Sequence, residues 1–142
     1  MTVLVDTGVL YADHDTDAGR HAAASDALEA VYDGEFGLPY ISDYIYDEAV
    51  TLTLKRGAFG PAKRLGERLR GADPYPRAYE MLHVSPATFA DAIDLFEQYD
   101  DQELSFTDAT TIALCERHGI DAIMSFDDDF DGLCDRIDPT TA

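Results

Sequence analysis

Apolar and polar positions along the chain switch between a strand period and a helix period. Residues 2–6 (TVLVD) form a short apolar run ending in Asp-Thr-Gly, which predicts a buried strand. Residues 17–33 are Ala-rich with acids at intervals and predict a helix stopped by Gly34. Residues 38–41 (LPYI) predict a short strand. Ile45, Ala49 and Leu52 then recur at helical spacing until Gly57. Gly60 and Pro61 open another helix, with Ala62, Leu65 and Leu69 as its ridge and Gly71 as its stop. Residues 78–84 (AYEMLHV) read as a strand. Ser85 and Pro86 supply an N-cap and a first-turn proline for a helix carrying Phe89, Ile93 and Phe96. Ser105 caps a helix running to Gly119, and residues 121–125 (DAIMS) are a strand again. Strands alternating with helices predict one α/β domain over residues 1–142, with a mainly parallel central sheet of about four to five strands and helices on both faces.

A chain of 142 residues buries roughly two-thirds of its unfolded surface, and 46% apolar residues are enough for a core. Charge alters the picture more. Ten basic residues face 29 acids, for a net charge of −19, and the acids are mostly aspartate. Such self-repulsion opposes a compact state in dilute buffer; at ~1 M salt the Debye length falls to ~3 Å and relieves it. The composition therefore predicts adaptation to a concentrated-salt cytoplasm, of haloarchaeal type, with an acidic protein serving a basic partner as the other reading. Cys115 and Cys134 form no CxxC pair, which fits a reducing compartment. The N-terminal apolar run is cut by Asp6 and lacks a basic flank, so no signal peptide is expected. No stretch approaches the ~20 apolar residues of a membrane span.

Among so many acids, the informative ones sit where a surface acid should not. Asp6 ends the first strand, and ligands of open α/β sheets bind outside the carboxyl ends of strands. An N-cap role for the following turn is an equal alternative. Asp108 falls on one helical row with Leu104, Ile112 and Cys115, which aims it inward. A capping-box pairing with Ser105 would explain its place along the axis but not its face. Glu48 borders the stripe of its helix, where a solvated flank residue is the simpler expectation. Asp127 comes two residues after a strand, at a carboxyl edge like that of Asp6. Four carboxylates converging on one rim would repel each other, so a hard divalent cation is their natural partner. Mg²⁺ or Mn²⁺ on oxygen ligands suits phosphodiester hydrolysis.

In this order, residues 3–10 (VLVDTGVL), the acid within 46–52 (YDEAVTL), 105–114 (SFTDATTIAL) and 124–130 (MSFDDDF) resemble the four acidic motifs of PIN-domain ribonucleases, especially VapC-type toxins. The resemblance implies a PIN-like fold. It implies Asp6, Glu48, Asp108 and Asp127 as the catalytic quartet, with Asp6 and Asp108 holding the principal metal and Glu48 and Asp127 secondary or acting through water. Thr7, Ser125 and Asp129 would support them. It further implies Mg²⁺- or Mn²⁺-dependent cleavage of RNA, a homodimer and a cognate antitoxin; a solitary RNA-processing enzyme is the alternative. Gly8 stands where the family often has Ser or Asn, and Ser125 where it often has Thr.

Lys55, Arg56, Lys63, Arg64, Arg68 and Arg70 form a basic island interrupted only by Glu67. They are candidate RNA-phosphate ligands, or they bridge to the acidic remainder; both readings stand. His14, His21, His83 and His118 are expected to be ordinary surface or partly packed residues. Asp127, Asp129, Asp131 and Gly132 also match the opening of an EF-hand loop whose twelfth position is Asp138, making a Ca²⁺-binding protein the rival from another class. A phosphorylated receiver domain lacks its late lysine, since neither lysine lies beyond Lys63.

Overall fold

In the computed structural model, which describes residues 1–142, five strands and six helices follow one another as β1 (Thr2–Val5), α1 (Thr7–His14), α2 (His21–Tyr32), β2 (Leu38–Ser42), α3 (Asp43–Arg56), α4 (Phe59–Arg70), β3 (Glu80–Leu82), α5 (Pro86–Gln98), α6 (Phe106–His118), β4 (Ala122–Met124) and β5 (Arg136–Ile137). The strands make one sheet of order β3-β2-β1-β4-β5, and every pair is parallel. Val3, Leu4 and Val5 are all fully buried. Since alternate strand residues face opposite sides, β1 is covered on both. The edge strands β3 and β5 are only half-buried.

Three of the six helices begin where a serine oxygen takes a free amide. Ser42, Ser85 and Ser105 accept from the backbone N–H of Ile45, Thr88 and Asp108. Gly71 and Gly119 end α4 and α6 in the left-handed region, at φ of 69° and 64°. At Gly71 a Cβ would also lie 2.8 Å from the Arg77 Cα, so the turn admits no side chain.

Several boundaries differ from the sequence pattern for physical reasons. Helix α1 has no amphipathic signature because it is buried nearly all round, through Thr7, Val9, Leu10, Tyr11 and Ala12. The predicted 17–33 helix begins only at His21, and the 78–84 strand shrinks to three residues. On α3 the buried row ends at Thr53, leaving Leu52 half-buried. On α5 the buried residues are Thr88 and Ala92, whereas Phe89 and Phe96 are 42% and 44% exposed. Ala92 packs with Ala109 and Ala113 of α6, so small residues form the contact and the phenyl rings lie beside it. Both rings meet Phe106 edge-on, at centroid distances of 5.4 and 5.8 Å.

After β4 a 3₁₀ turn, Asp128–Phe130, sends the fully buried Phe130 into the main core. Phe130→Ala should therefore cost about 3–5 kcal/mol in urea unfolding, the range for deleting a fully buried phenyl ring. A loss below about 1 kcal/mol would show that the loop is not anchored by this ring.

Candidate active site

Strand order reverses beside β1: β2 lies on one flank and β4 on the other. Open parallel sheets leave a crevice at such a switch point, because the chain departs to opposite sides there. Asp6 and Asp127 follow the two strands bordering it. A cavity of about 840 Å³ opens at this end, and Asp6, Glu48, Asp108 and Asp127 all line it with Thr7, Ser105 and Ser125. Glu48 is brought there by α3, which starts from the carboxyl end of β2, and Asp108 by the first turn of α6. Glu48 is thus half-buried at the cavity wall, not a solvated flank residue.

Asp6 occupies the N-cap position of α1, but its side chain makes no capping bond. It is only 7% exposed. Its Oδ2 accepts from the Ser125 hydroxyl at 2.7 Å, while its Oδ1 is buried with no hydrogen-bond partner. The Thr7 Oγ1 beside it is also buried and unpartnered. Two orphaned oxygens facing one cavity are costly unless something electropositive meets them.

Asp108, 8% exposed, combines both roles that its position allowed. Its N–H donates to the Ser105 hydroxyl at 3.0 Å, and its Oδ2 accepts from the Ser105 N–H at 3.1 Å. That capping box consumes one carboxylate oxygen and fixes the group at the cavity wall. Ser125 bridges the remaining walls: its Oγ also accepts from the Asp127 N–H at 3.0 Å. The Asp127 Oδ1 in turn accepts from the Asp129 N–H at 2.9 Å.

The electrostatics follow from burial. Desolvation pushes Asp6 up to about 7; the Ser125 hydroxyl opposes this, and the Asp108 and Glu48 charges reinforce it. Asp108 rises to about 6, again mainly by desolvation, against its capping bonds to Ser105 and with Asp127 and Glu48 adding repulsion. The donors are all oxygen, two are unpartnered, and the carboxylates resist ionising together. The residues therefore fit a hard divalent cation.

The three consecutive aspartates divide their tasks. Asp127 and Asp128 line the cavity, whereas Asp129 does not and acts on it only through its bond to Asp127. Asp127 pushes the Asp129 carboxyl above its ordinary value. Carboxylate oxygens of the three lie within 4.8 Å of one another. They do not build an EF-hand. Strand β4, not a helix, enters the segment, and Asp131 is taken by Arg136 at 2.8 and 3.2 Å. Asp138 accepts from the Thr140 N–H and hydroxyl at 2.9 and 2.8 Å.

The basic island splits as well. Arg68 pairs with Asp13 at 3.1 Å and contacts His14, and Lys63 lies 3.6 Å from Glu67, so each has an acidic partner on its own surface. Arg70 donates to the Tyr46 hydroxyl, and Lys55 is exposed. Arg56 lines the acidic cavity and, with Arg64, the adjoining groove. Arg20, which no spacing singled out, lines the acidic cavity too. None of the four histidines does; His14 and His21 are bonded to the Pro61 and Ala12 carbonyls.

A second cavity of about 830 Å³, under α1, α2 and α4, is mainly apolar and shares no residue with the acidic one. Its one carboxylate, Asp13, is occupied by Arg68. The convergent chemistry is at the switch point. No helix is long and apolar enough to cross a membrane.

No curated protein matches this sequence. Among solved structures, VapC20 of Mycobacterium tuberculosis, described as a sarcin–ricin loop cleaving toxin, superposes with a TM-score of 0.79 at 25% identity, covering 90% of this chain and 92% of that one. A toxin–antitoxin complex from Klebsiella pneumoniae matches with a TM-score of 0.66 at 19% identity, over 96% and 97% of the two chains. VapBC2 of Rickettsia felis, bound to a promoter DNA fragment, matches with a TM-score of 0.70 at 8% identity, over 96% and 98%. The last two show likeness of fold alone. The PIN domain family model matches residues 3–135, a span that contains all four cavity carboxylates. This chain belongs to the PIN domain family of nucleases.

Proposed function

We propose that the chain is an Mg²⁺- or Mn²⁺-dependent endoribonuclease acting as the toxin of a type II toxin–antitoxin pair. The observation that carries the reading is the pair of buried acids, Asp6 and Asp108, meeting beside the unpartnered Asp6 Oδ1 and Thr7 Oγ1. Asp6 and Asp108 would hold the principal ion, with Glu48 and Asp127 holding it through water or holding a second one. Bound there, a hard divalent cation supplies Lewis acidity, making water a stronger nucleophile and neutralising charge on the phosphate.

The protein's own part is positioning. The Ser125 hydroxyl fixes the Asp6 carboxylate, and the capping box fixes Asp108, so both are oriented before substrate arrives. No imidazole lines the cavity, so no histidine serves as base. The VapC and toxin–antitoxin neighbours support an RNA substrate and an antitoxin partner. The exposed Phe89 and Phe96 rings, edge-on to Phe106, suit burial against a second copy, in keeping with a homodimer. The net charge of −19 supports a concentrated-salt cytoplasm as the setting.

Asp6→Asn and Asp108→Asn should each lower Mn²⁺-dependent RNA cleavage at least about 100-fold while the circular dichroism spectrum stays native. Retained activity in both variants would remove the assignment. The same Asp6→Asn change should stabilise the metal-free protein. The folded Asp6 value of about 7 exceeds its ordinary 3.8, so the folded state holds a proton that the unfolded chain has lost. Stability is thus lost as pH rises through that window, by an amount on the order of a few kcal/mol. The variant should melt roughly 3 °C or more above wild type at pH 8, with little difference at pH 4. Equal melting at pH 8 would count against a strained Asp6. Finally, Asp131→Ala should leave Mn²⁺ binding unchanged by calorimetry; loss of binding would restore the calcium-loop reading.

A further inference from the structure

With 29 acids to ten basic residues, this chain has enough carboxylates to pair every cation, yet half of the cations lack an acidic partner. Lys63, Arg68, Arg77, Arg117 and Arg136 each have a carboxylate oxygen within 4 Å. Arg20, Lys55, Arg56, Arg64 and Arg70 have none. Two of these five, Arg20 and Arg56, line the cavity that holds Asp6, Glu48, Asp108, Asp127 and Asp128. Mutual attraction would be expected to collapse them onto those acids.

What holds them off is aromatic. The Arg20 guanidinium lies over the Phe126 ring at 4.7 Å from its centroid, and that of Arg56 over the Tyr11 ring at 5.1 Å. Both rings belong to the cavity wall. A guanidinium held over an aromatic ring keeps its full charge, and with five N–H donors it retains groups that can bind something else. The two arginines also come from unrelated segments, the start of α2 and the end of α3, and are seated by α1 and by the turn after β4. Arg56 further opens onto a groove of about 490 Å³ that it shares with Arg64.

We infer that Arg20 and Arg56 form a two-point clamp for the phosphates flanking the scissile one, with the strand leaving past Arg64. The inference rests on the ribonuclease reading and names the groups that bring a polyanion to an acidic cavity. Planar guanidinium forks match phosphate oxygens in pairs, and a strand needs such contacts on both sides of the carboxylates to lie across them. The ring contacts hold both guanidinium groups without neutralising them.

The test uses the intact protein, a short fluorescein-labelled single-stranded RNA and Mn²⁺, with kinetics measured across a KCl series. Arg20→Gln and Arg56→Gln should each raise KM about tenfold and leave kcat within about twofold. Each should flatten the slope of log(kcat/KM) against log[KCl] by ~0.7, and the double variant by ~1.4, the value for one and two lost phosphate contacts. Arg117→Gln, which removes a cation already paired with Asp91, should change neither. Slopes equal to wild type, with cleavage intact, would overturn the clamp and leave the ribonuclease reading standing. If Mn²⁺ binding tightens in both variants while KM and slope stay fixed, the arginines only neutralise the acids, and the clamp is again overturned. If wild type cleaves no RNA at any salt, the ribonuclease reading falls and takes the clamp with it.

Discussion

The hydroxyl of Ser125 is the joint on which the site depends. It is fully buried, donates to Asp6 at 2.7 Å and accepts from the Asp127 N–H at 3.0 Å. One small side chain thereby ties the carboxyl end of β1 to the turn after β4, across the point where strand order reverses. The strands themselves are locked in register, with Val5 beside Met124 and the Asp6 N–H bonded to the Met124 carbonyl at 3.0 Å. Arg136 closes the joint from behind by donating to the Ser125 carbonyl at 3.0 Å while pairing with Asp131. The acidic turn is thus held by the last strand of the sheet, and β5 has a task despite having only two residues.

Burial of the acids and their usefulness have the same cause. A carboxylate that has lost its water and faces others is poorly placed as a charge, and any ligand that relieves it binds with that relief as driving force. Asp6 is raised to about 7 and Asp108 to about 6 because the core packs close behind them. The fold therefore stores destabilisation at the rim that its hydrophobic interior must offset, the trade expected where function needs preorganised charge.

How much of this was readable from the chain depended on whether a residue's signal was local. Asp108 was legible because helical periodicity alone puts it on a buried row, and Asp6 and Asp127 because an apolar run marks the strand before each. Glu48 was weakly legible, since its place at the wall depends on how α3 leaves β2. Arg20 was not legible at all: its meaning lies in Phe126, 106 positions away in the chain. Helix α1 hid for the opposite reason, because burial nearly all round erases the periodicity that reveals a helix. Phe89 and Phe96 misled because apolar spacing reports a face and cannot say that alanines on α6 would draw the neighbouring row inward.

The same distinction explains why the basic island was only half informative. Clustering in sequence measures charge density along the chain, whereas a phosphate responds to charge left unpaired in space. Arg68 and Lys63 are in the cluster and have acidic partners; Arg20 is isolated in sequence and has none. A strongly acidic chain offers a polyanion no long-range attraction. Recognition there must come from contacts, which favours few cations held at fixed positions over a diffuse basic surface. Eight of the ten basic residues being arginine fits that constraint, since a guanidinium can be fixed by an aromatic face without surrendering its charge and an ammonium is less readily so held.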